Sequence, residues 1–237
     1  MKKVAIIGSS VSDSASPDWH NQRLLNSFVR YVKIQKQESL KEKELVLIMK
    51  DLLAANITSP FKSVAYGAAE MLTSEAVRCR SVNLLYWKKN ILIGDNTDTL
   101  GFFNELQNKS IPHNKTWLVL GSGGASRACS DALKNHGSKP IIVSRDKKKN
   151  TASRFKIISY EEVKDYSSIV YGIVNATPEE LPYDNFSVLK NCVYAWDLNY
   201  KKRSDFLIKA EKSGLLTFDG WGMFVSQARH AYFRWGI

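Results

Sequence analysis

One succession in the chain constrains its fold more than any other. The apolar run Trp117-Leu118-Val119-Leu120 passes directly into Gly121-Ser122-Gly123-Gly124-Ala125-Ser126, and helical periodicity then continues to about His136, before Gly137. A strand that is apolar at every position needs cover on both faces, which points to a parallel sheet between helices. A glycine cluster between such a strand and a helix is the pattern of a dinucleotide-binding turn. There the N–H groups and dipole of the helix start hold a pyrophosphate, and a side chain would block its approach. Gly121, Gly123, Gly124 and Ala125 supply the turn, although Ser126 stands where the strict pattern has its last glycine. The plain alternative is an ordinary tight strand–helix turn; the flanking strand and helix favour the nucleotide.

The end of the following strand separates the two nicotinamide cofactors. An acid there holds the ribose 2′-hydroxyl of NAD, whereas arginine or lysine suits the 2′-phosphate of NADP. Val143 is followed by Ser144-Arg145-Asp146-Lys147-Lys148-Lys149. Ser144, Arg145 and Lys147 point to NADP, and Asp146 keeps NAD as the alternative.

Strand and helix patterns alternate throughout, which places the chain in the α/β class. Strands are expected at residues 4–7, 31–35 and 54–58, and a hairpin from 80–87 and 91–93 around Lys88-Lys89-Asn90. Ser16 before Pro17 reads as a cap opening a helix through Trp19, Leu24, Leu25 and Phe28. Further helices are expected at 40–53 and 63–72. The second half adds strands at 141–143, 168–174 and 193–196, a helix at 204–212 and a final helix from near Trp221. With 237 residues, either one large domain or two modest ones can bury a core. The segment 100–115 is taken as the junction. The expected organisation is an N-terminal α/β substrate domain (1–103), a Rossmann-like doubly wound nucleotide-binding domain (104–220), and a C-terminal helix (221–237) packing back on the first.

The formal net charge is +11. Most of it reads as a solvated basic face that attracts anionic small molecules. The densest cluster, 147–149, has no interleaved aromatics, so no nucleic-acid partner is expected. Three scattered cysteines without a CxxC pair, and four histidines without ligand spacing, argue against disulfides and metal and suit the cytoplasm. No apolar run approaches the ~18 residues of a membrane span, and the stretch after Met1-Lys2-Lys3 is too short for a signal peptide. The partner is then a small-molecule substrate, with no membrane association, in a monomer or homodimer.

Several further stretches occur together. The first half has Ser12-Asp13-Ser14-Ala15-Ser16-Pro17 with His20-Asn21, Asn56-Ile57-Thr58-Ser59-Pro60-Phe61-Lys62, Ser81-Val82-Asn83 and Gly94-Asp95-Asn96-Thr97-Asp98. The second has the glycine turn, Asn175-Ala176-Thr177-Pro178, the segment from Asp197 to Tyr200, and Gly220-Trp221-Gly222-Met223-Phe224-Val225-Ser226-Gln227-Ala228. In order and spacing these resemble the shikimate dehydrogenases from end to end. The resemblance implies NADP-dependent, reversible reduction of 3-dehydroshikimate to shikimate in aromatic amino-acid biosynthesis. The alternatives are a quinate/shikimate-type dehydrogenase using NAD or NADP, and a non-catalytic shikimate-binding relative.

The resemblance also implies roles. Lys62 and Asp98 would be the catalytic pair. Ser14, Ser16 and Tyr200 would bind the substrate carboxylate, and Thr58, Asn83 and Gln227 its ring hydroxyls. Thr177 and Gly220 would join the cofactor site. Each has a plain counterpart: Ser16 a helix cap, Lys62 a solvated lysine, Asp98 a cap for the segment after it, Gln227 a satisfied core amide. Asn83 is an unusual residue for a strand, which favours a function. The chain departs from the family at Leu84, where threonine is usual, at Thr99 and Glu180, where glycine is usual, and at Asp13, where histidine is common. The crossover after Arg145 leaves little room for a full helix, which predicts weaker cofactor binding.

Overall fold

The computed structural model describes residues 1–25, 28–37, 39–146, 154–179 and 182–236. They fold into two units, Met1–Thr97 with Arg229–Ile237 and Asp98–Ala228.

In the first unit β1 (Lys2–Gly8) lies between β2 (Val29–Gln35) and β3 (Ala54–Ile57), parallel to both. Alternation along β1 feeds two cores. Ala5 and Ile7 pack with Leu45 and Met49 of α2 (Glu42–Met49) and Ala65 of α3 (Lys62–Ala68). Val4 and Ile6 pack with Tyr31 and with Ala231 and Trp235 from the end of α8 (Trp221–Trp235). The sheet continues through β5 (Leu84–Lys88), antiparallel to β3, and its hairpin partner β6 (Ile91–Asp95), and ends at β4 (Met71–Leu72), giving the order β2-β1-β3-β5-β6-β4. Lys89 and Asn90 turn the hairpin with φ of 50° and 62°, the left-handed pair a two-residue turn requires.

Several elements differ from the sequence reading. The first helix, α1 (Ser16–Asn21), is six residues long, and Ala15 rather than Ser16 occupies its cap position. It ends because the Asn21 side chain leaves to pair with a strand: Nδ2 donates to the Tyr31 carbonyl at 3.0 Å and Oδ1 accepts from Tyr31 N at 2.9 Å. Leu25 and Phe28, expected on the helix's apolar face, are 81% and 89% exposed. The helix at 63–72 stops at Ala68, since Ala69 turns extended and Glu70 N donates to Leu92 O at 2.9 Å, starting β4. An unanticipated helix, α4 (Ser74–Cys79), follows, capped by the Thr73 hydroxyl. Asn83 precedes β5 rather than lying in it.

The second unit holds a parallel sheet in the order β12-β11-β10-β7-β8-β9. Its strands are β7 (Thr116–Leu120), β8 (Lys139–Val143), β9 (Lys156–Ile158), β10 (Val170–Asn175), β11 (Tyr194–Asp197) and β12 (Leu216–Phe218). Winding outward in both directions from the β7/β10 pair is the doubly wound arrangement, with its crevice where the order reverses. Trp117 and Val119 face α5 (Thr97–Asn108) and α6 (Gly124–Asn135) through Phe102, Leu106, Cys129 and Leu133. Leu118 and Leu120 face Phe206 and Leu207 of α7 (Asp205–Lys212). Residues 100–115, taken as a junction from sequence, are thus largely helix. Helix α5 packs on α8 at two glycines. A Cβ on Gly101 would lie 2.9 Å from Met223 O and from Gln227 Cβ, and one on Gly222 would lie 2.1 Å from Glu105 Oε2. Among the described residues no helix is long and apolar enough to cross a membrane.

Two features of the first unit set its response to mutation and acid. Asp95 is fully buried and holds Arg234 Nε at 2.7 Å, while Thr73 Oγ1 and Asn96 N donate to its other oxygen. Replacing Arg234 by alanine leaves that carboxylate without its cation. Urea unfolding is expected to read a loss of about 3 kcal/mol, partly recovered in the Asp95→Asn/Arg234→Ala double variant. His20 is enclosed by Trp19, Tyr31, Tyr232 and Trp235. Burial, with Arg23 nearby, pushes its pKa down to about 3 from 6.5. The unfolded chain therefore binds a proton that the folded one refuses. The contribution is complete above 6.5 and is lost as pH falls toward 3, each pKa unit being worth about 1.4 kcal/mol. His20→Phe is expected to flatten the slope of stability against pH across that window.

Candidate active site

The glycine turn sits at the end of β7, at the point where strand order reverses. Gly121 has φ of 97°, its N–H donates to Val143 O at 2.9 Å, and a Cβ on it would approach Thr177 Cγ2 to 2.9 Å. Gly123 occupies the cap position of α6 in extended conformation, and a Cβ there would meet nothing within 4 Å. The protein's own packing thus explains Gly121. Gly123 has no such neighbour and directly precedes the first turn of α6, formed by Gly124 and Ala125, where backbone N–H groups lack intrahelical acceptors. Ser126, the break in the strict pattern, is turned inward and fully buried. The third position of the pattern serves close helix–strand packing, and a serine is small enough for it.

Two side chains brace the turn. Arg127 Nη1 donates to Ser122 O at 2.9 Å, adding a cation to the first turn of α6. Ser144, buried at the end of β8, donates to Asp146 O at 3.1 Å, accepts from Asp146 N at 3.2 Å and lies 3.4 Å from Ser122 Oγ. Arg145 beside it is exposed and pairs with Glu179 at 2.7 Å. Lys147 and Glu180 lie outside the described residues. Sequence reasoning singled out neither Arg127 nor Glu179. The cation in a helix's first turn, against the dipole, was the available signal for Arg127, and nothing local marked Glu179.

The loop after β10 is held by a buried polar network. Asn175 Oδ1 accepts from Thr177 N and Oγ1 at 2.9 and 2.8 Å, and its Nδ2 donates to Glu179 O and Asp197 Oδ1 at 3.0 and 3.2 Å. Asp197 also accepts from Asn199 N, Asn199 Nδ2 and Ser204 Oγ. Burial raises its pKa against the pull of these donors. Asn199 Nδ2 closes the ring on Thr177 O at 3.1 Å. The Thr177 hydroxyl is thus committed to the loop, while its methyl lies toward Gly121. Gly220 is required by a neighbour too: its Cβ would fall 2.0 Å from Leu198 O. Two residues on, Tyr200 stacks on Phe224 at 4.9 Å and meets Trp221 edge-on at 5.7 Å, and burial raises its phenol pKa. Gln227, one turn beyond Phe224 on α8, donates from Nε2 to Phe224 O at 3.1 Å.

In the first unit the candidate residues collect at one edge of the sheet. Register sets Asn56 beside Leu84 and Leu84 beside Asp95, so the chain just past β3, just before β5 and just past β6 lies along that edge. Thr58 and Lys62 flank the cis Ser59–Pro60 bond. Thr58 N donates to Ile7 O at 2.9 Å, and Val82 N to Lys62 O at 3.1 Å. Asn83 is buried, accepting from Thr97 N at 2.8 Å and donating to Thr97 Oγ1 at 3.0 Å. Ser14 and Ser16 share one turn, Ser16 N donating to Ser14 Oγ at 3.3 Å, and Asp13 between the motif residues is exposed. Asp98, buried, is the second residue of α5, in the other unit. Among the described residues no three His, Cys, Asp or Glu side chains gather as a metal site.

Residues 6–85 match the family model of the shikimate dehydrogenase substrate binding domain. The chain is 31% identical to the shikimate dehydrogenase (NADP(+)) of Clostridium botulinum, covering 99% of this chain and 96% of that one. The Pseudoalteromonas atlantica protein of the same name is 30% identical, with 99% and 93% covered. Among solved structures, shikimate 5-dehydrogenase of Thermus thermophilus in complex with NADP(H) and shikimate superposes with a TM-score of 0.87 at 27% identity, over 100% of this chain and 94% of that one.

The two turn glycines are expected to respond oppositely to substitution. Gly123→Val should leave the unfolding midpoint near that of the parent and abolish dinucleotide binding in a calorimetric titration. Gly121→Val should lower the midpoint, because a β-branched residue is strained at that φ and crowds Thr177.

Proposed function

This chain belongs to the shikimate dehydrogenase family, and we infer that it catalyses the NADP-dependent, reversible reduction of 3-dehydroshikimate to shikimate in aromatic amino-acid biosynthesis. The observation that carries the reading is the open position at Gly123, ahead of α6 and braced by Arg127, in a fold whose relatives are named for that reaction. The residues present fit the cofactor: Gly121, Gly123, Gly124 and Ala125 would receive its pyrophosphate, and Ser144 and Arg145 its 2′-phosphate. NADPH, when bound, supplies the hydride.

The chain's own groups do the rest. Reduction of a ketone builds negative charge on its oxygen, which needs a proton donor beside it. Lys62 Nζ gives that proton, and Asp98 is the second member of the catalytic pair. The Ser14 and Ser16 hydroxyls and the Tyr200 phenol bind the substrate carboxylate. Thr58, Asn83 and Gln227 read the ring hydroxyls. Burial that raises the Tyr200 phenol pKa keeps it a donor, as binding an anion requires. The free thiols of Cys79, Cys129 and Cys192 support a cytoplasmic setting.

Lys62→Ala is expected to lower kcat by about 10²–10⁴-fold, the usual range for acid–base assistance, with an unchanged circular dichroism spectrum. The assay follows NADPH absorbance. In the parent protein kcat/KM should be highest for shikimate with NADP⁺. Higher values with quinate or NAD⁺, or shikimate binding without turnover, would reject the reading.

A further inference from the structure

The arginine offered to the cofactor's 2′-phosphate is not idle in this protein. Arg145 is 81% exposed, and its Nη1 meets Glu179 Oε1 at 2.7 Å. Glu179 is presented rather than adventitious. Its N–H donates to Thr177 Oγ1 at 3.2 Å and its carbonyl accepts from Asn175 Nδ2 at 3.0 Å, so the turn that closes on Gly121 also sets this residue's backbone. Tyr160, in the segment after β9, feels both charges: burial raises its phenol pKa, Glu179 raises it further, and Arg145 opposes them. Three loops at the ends of β8, β9 and β10 therefore converge on one ion pair.

We propose that Glu179 is a specificity-determining residue, an internal anion that occupies the Arg145 guanidinium and sets how strongly the site prefers NADP over NAD. The proposal rests on the reading of Arg145 as the 2′-phosphate ligand. A guanidinium forms charge-assisted, forked hydrogen bonds with either carboxylate or phosphate, so a 2′-phosphate must displace the acid. NAD carries no such phosphate and displaces nothing. A carboxylate in this place is also an acceptor for a ribose 2′-hydroxyl, the role an acid plays in NAD-binding folds. Glu179 thus shifts selectivity toward NAD on both counts. Magnitude decides how far. An exposed pair is a weak one, and a phosphate with nearly two charges outcompetes it, so the acid narrows the preference for NADP without reversing it.

The test is calorimetric titration of the full chain with NADP⁺ and with NAD⁺. Glu179→Gln is expected to lower the Kd for NADP⁺ by about two- to fivefold, the range an exposed ion pair spans, and to leave the Kd for NAD⁺ unchanged or higher. Arg145→Gln should weaken NADP⁺ alone, and adding Glu179→Gln to it should change nothing further, since coupled residues are not additive. If Arg145→Gln weakens NADP⁺ while Glu179→Gln leaves it unaltered, or tightens both cofactors equally, the proposal falls and the reading of Arg145 stands. If Arg145→Gln leaves NADP⁺ binding unaltered, both fall.

Discussion

Between the ends of β7 and β10 there is no room for a side chain, and much of the second unit is arranged around that condition. Gly121 meets it with a left-handed backbone that only glycine adopts without strain. The Thr177 methyl fills the neighbouring space and is held by Asn175, which is tied in turn to Asp197, Asn199 and Ser204. The loops after β10 and β11 are thus one polar assembly, closed on the side of the glycine turn. Its cost is a buried carboxylate. Four donor contacts from the neighbouring loops offset the loss of water around Asp197, because burying a charge is tolerable only when hydrogen bonds replace its solvent.

Buried acids recur in a chain of net charge +11, and each is handled by its own means. Asp95 takes Arg234 from the last turns of α8, within the first unit. Asp131 on α6 takes Arg154. Asp197 has hydrogen bonds in place of a cation. The excess of basic residues is thus partly internal: some arginines that add to the formal charge neutralise acids the fold has enclosed. The exposed remainder makes the surface attractive to anions, in keeping with a phosphate-bearing cofactor and a carboxylate substrate.

What the sequence revealed follows from what each signal depends on. The apolar run at 117–120 and the glycine turn were legible because both are local demands, one of cover and one of backbone conformation. The helix at 204–212 was legible for the same reason, with Ser204 capping and Gly214 ending it at φ of 83°. The first helix was overextended because its end is set by a partner ten residues away, where Asn21 leaves to pair with Tyr31. Helix α5 was missed because Gly101 and the polar residues around it weaken propensity, and packing against α8 supplies what propensity lacks. Asn83 looked like an odd strand residue. It is instead a loop residue whose amide binds the start of α5. The family motifs were readable as strings, but several of their members turn out to brace loops: Asn175, Asp197 and Gly220 answer to neighbours within the protein. Glu179 had no local signal at all, since its partner is an arginine from the loop after β8.

The contact of α5 with α8 gives Gln227 an address it does not choose for itself. Its backbone and Cβ lie against Gly101, and the carbonyl of Met223 lies against the same glycine, so the height and rotation of that stretch of α8 are fixed by an atom missing from the facing helix. Gly222 and Glu105 repeat the arrangement about one turn away. The two helices mesh at these points like a pair of notched rods. Gln227, proposed to read a ring hydroxyl, is therefore positioned from behind. Its placement is thus sensitive to single methyl groups on the facing helix.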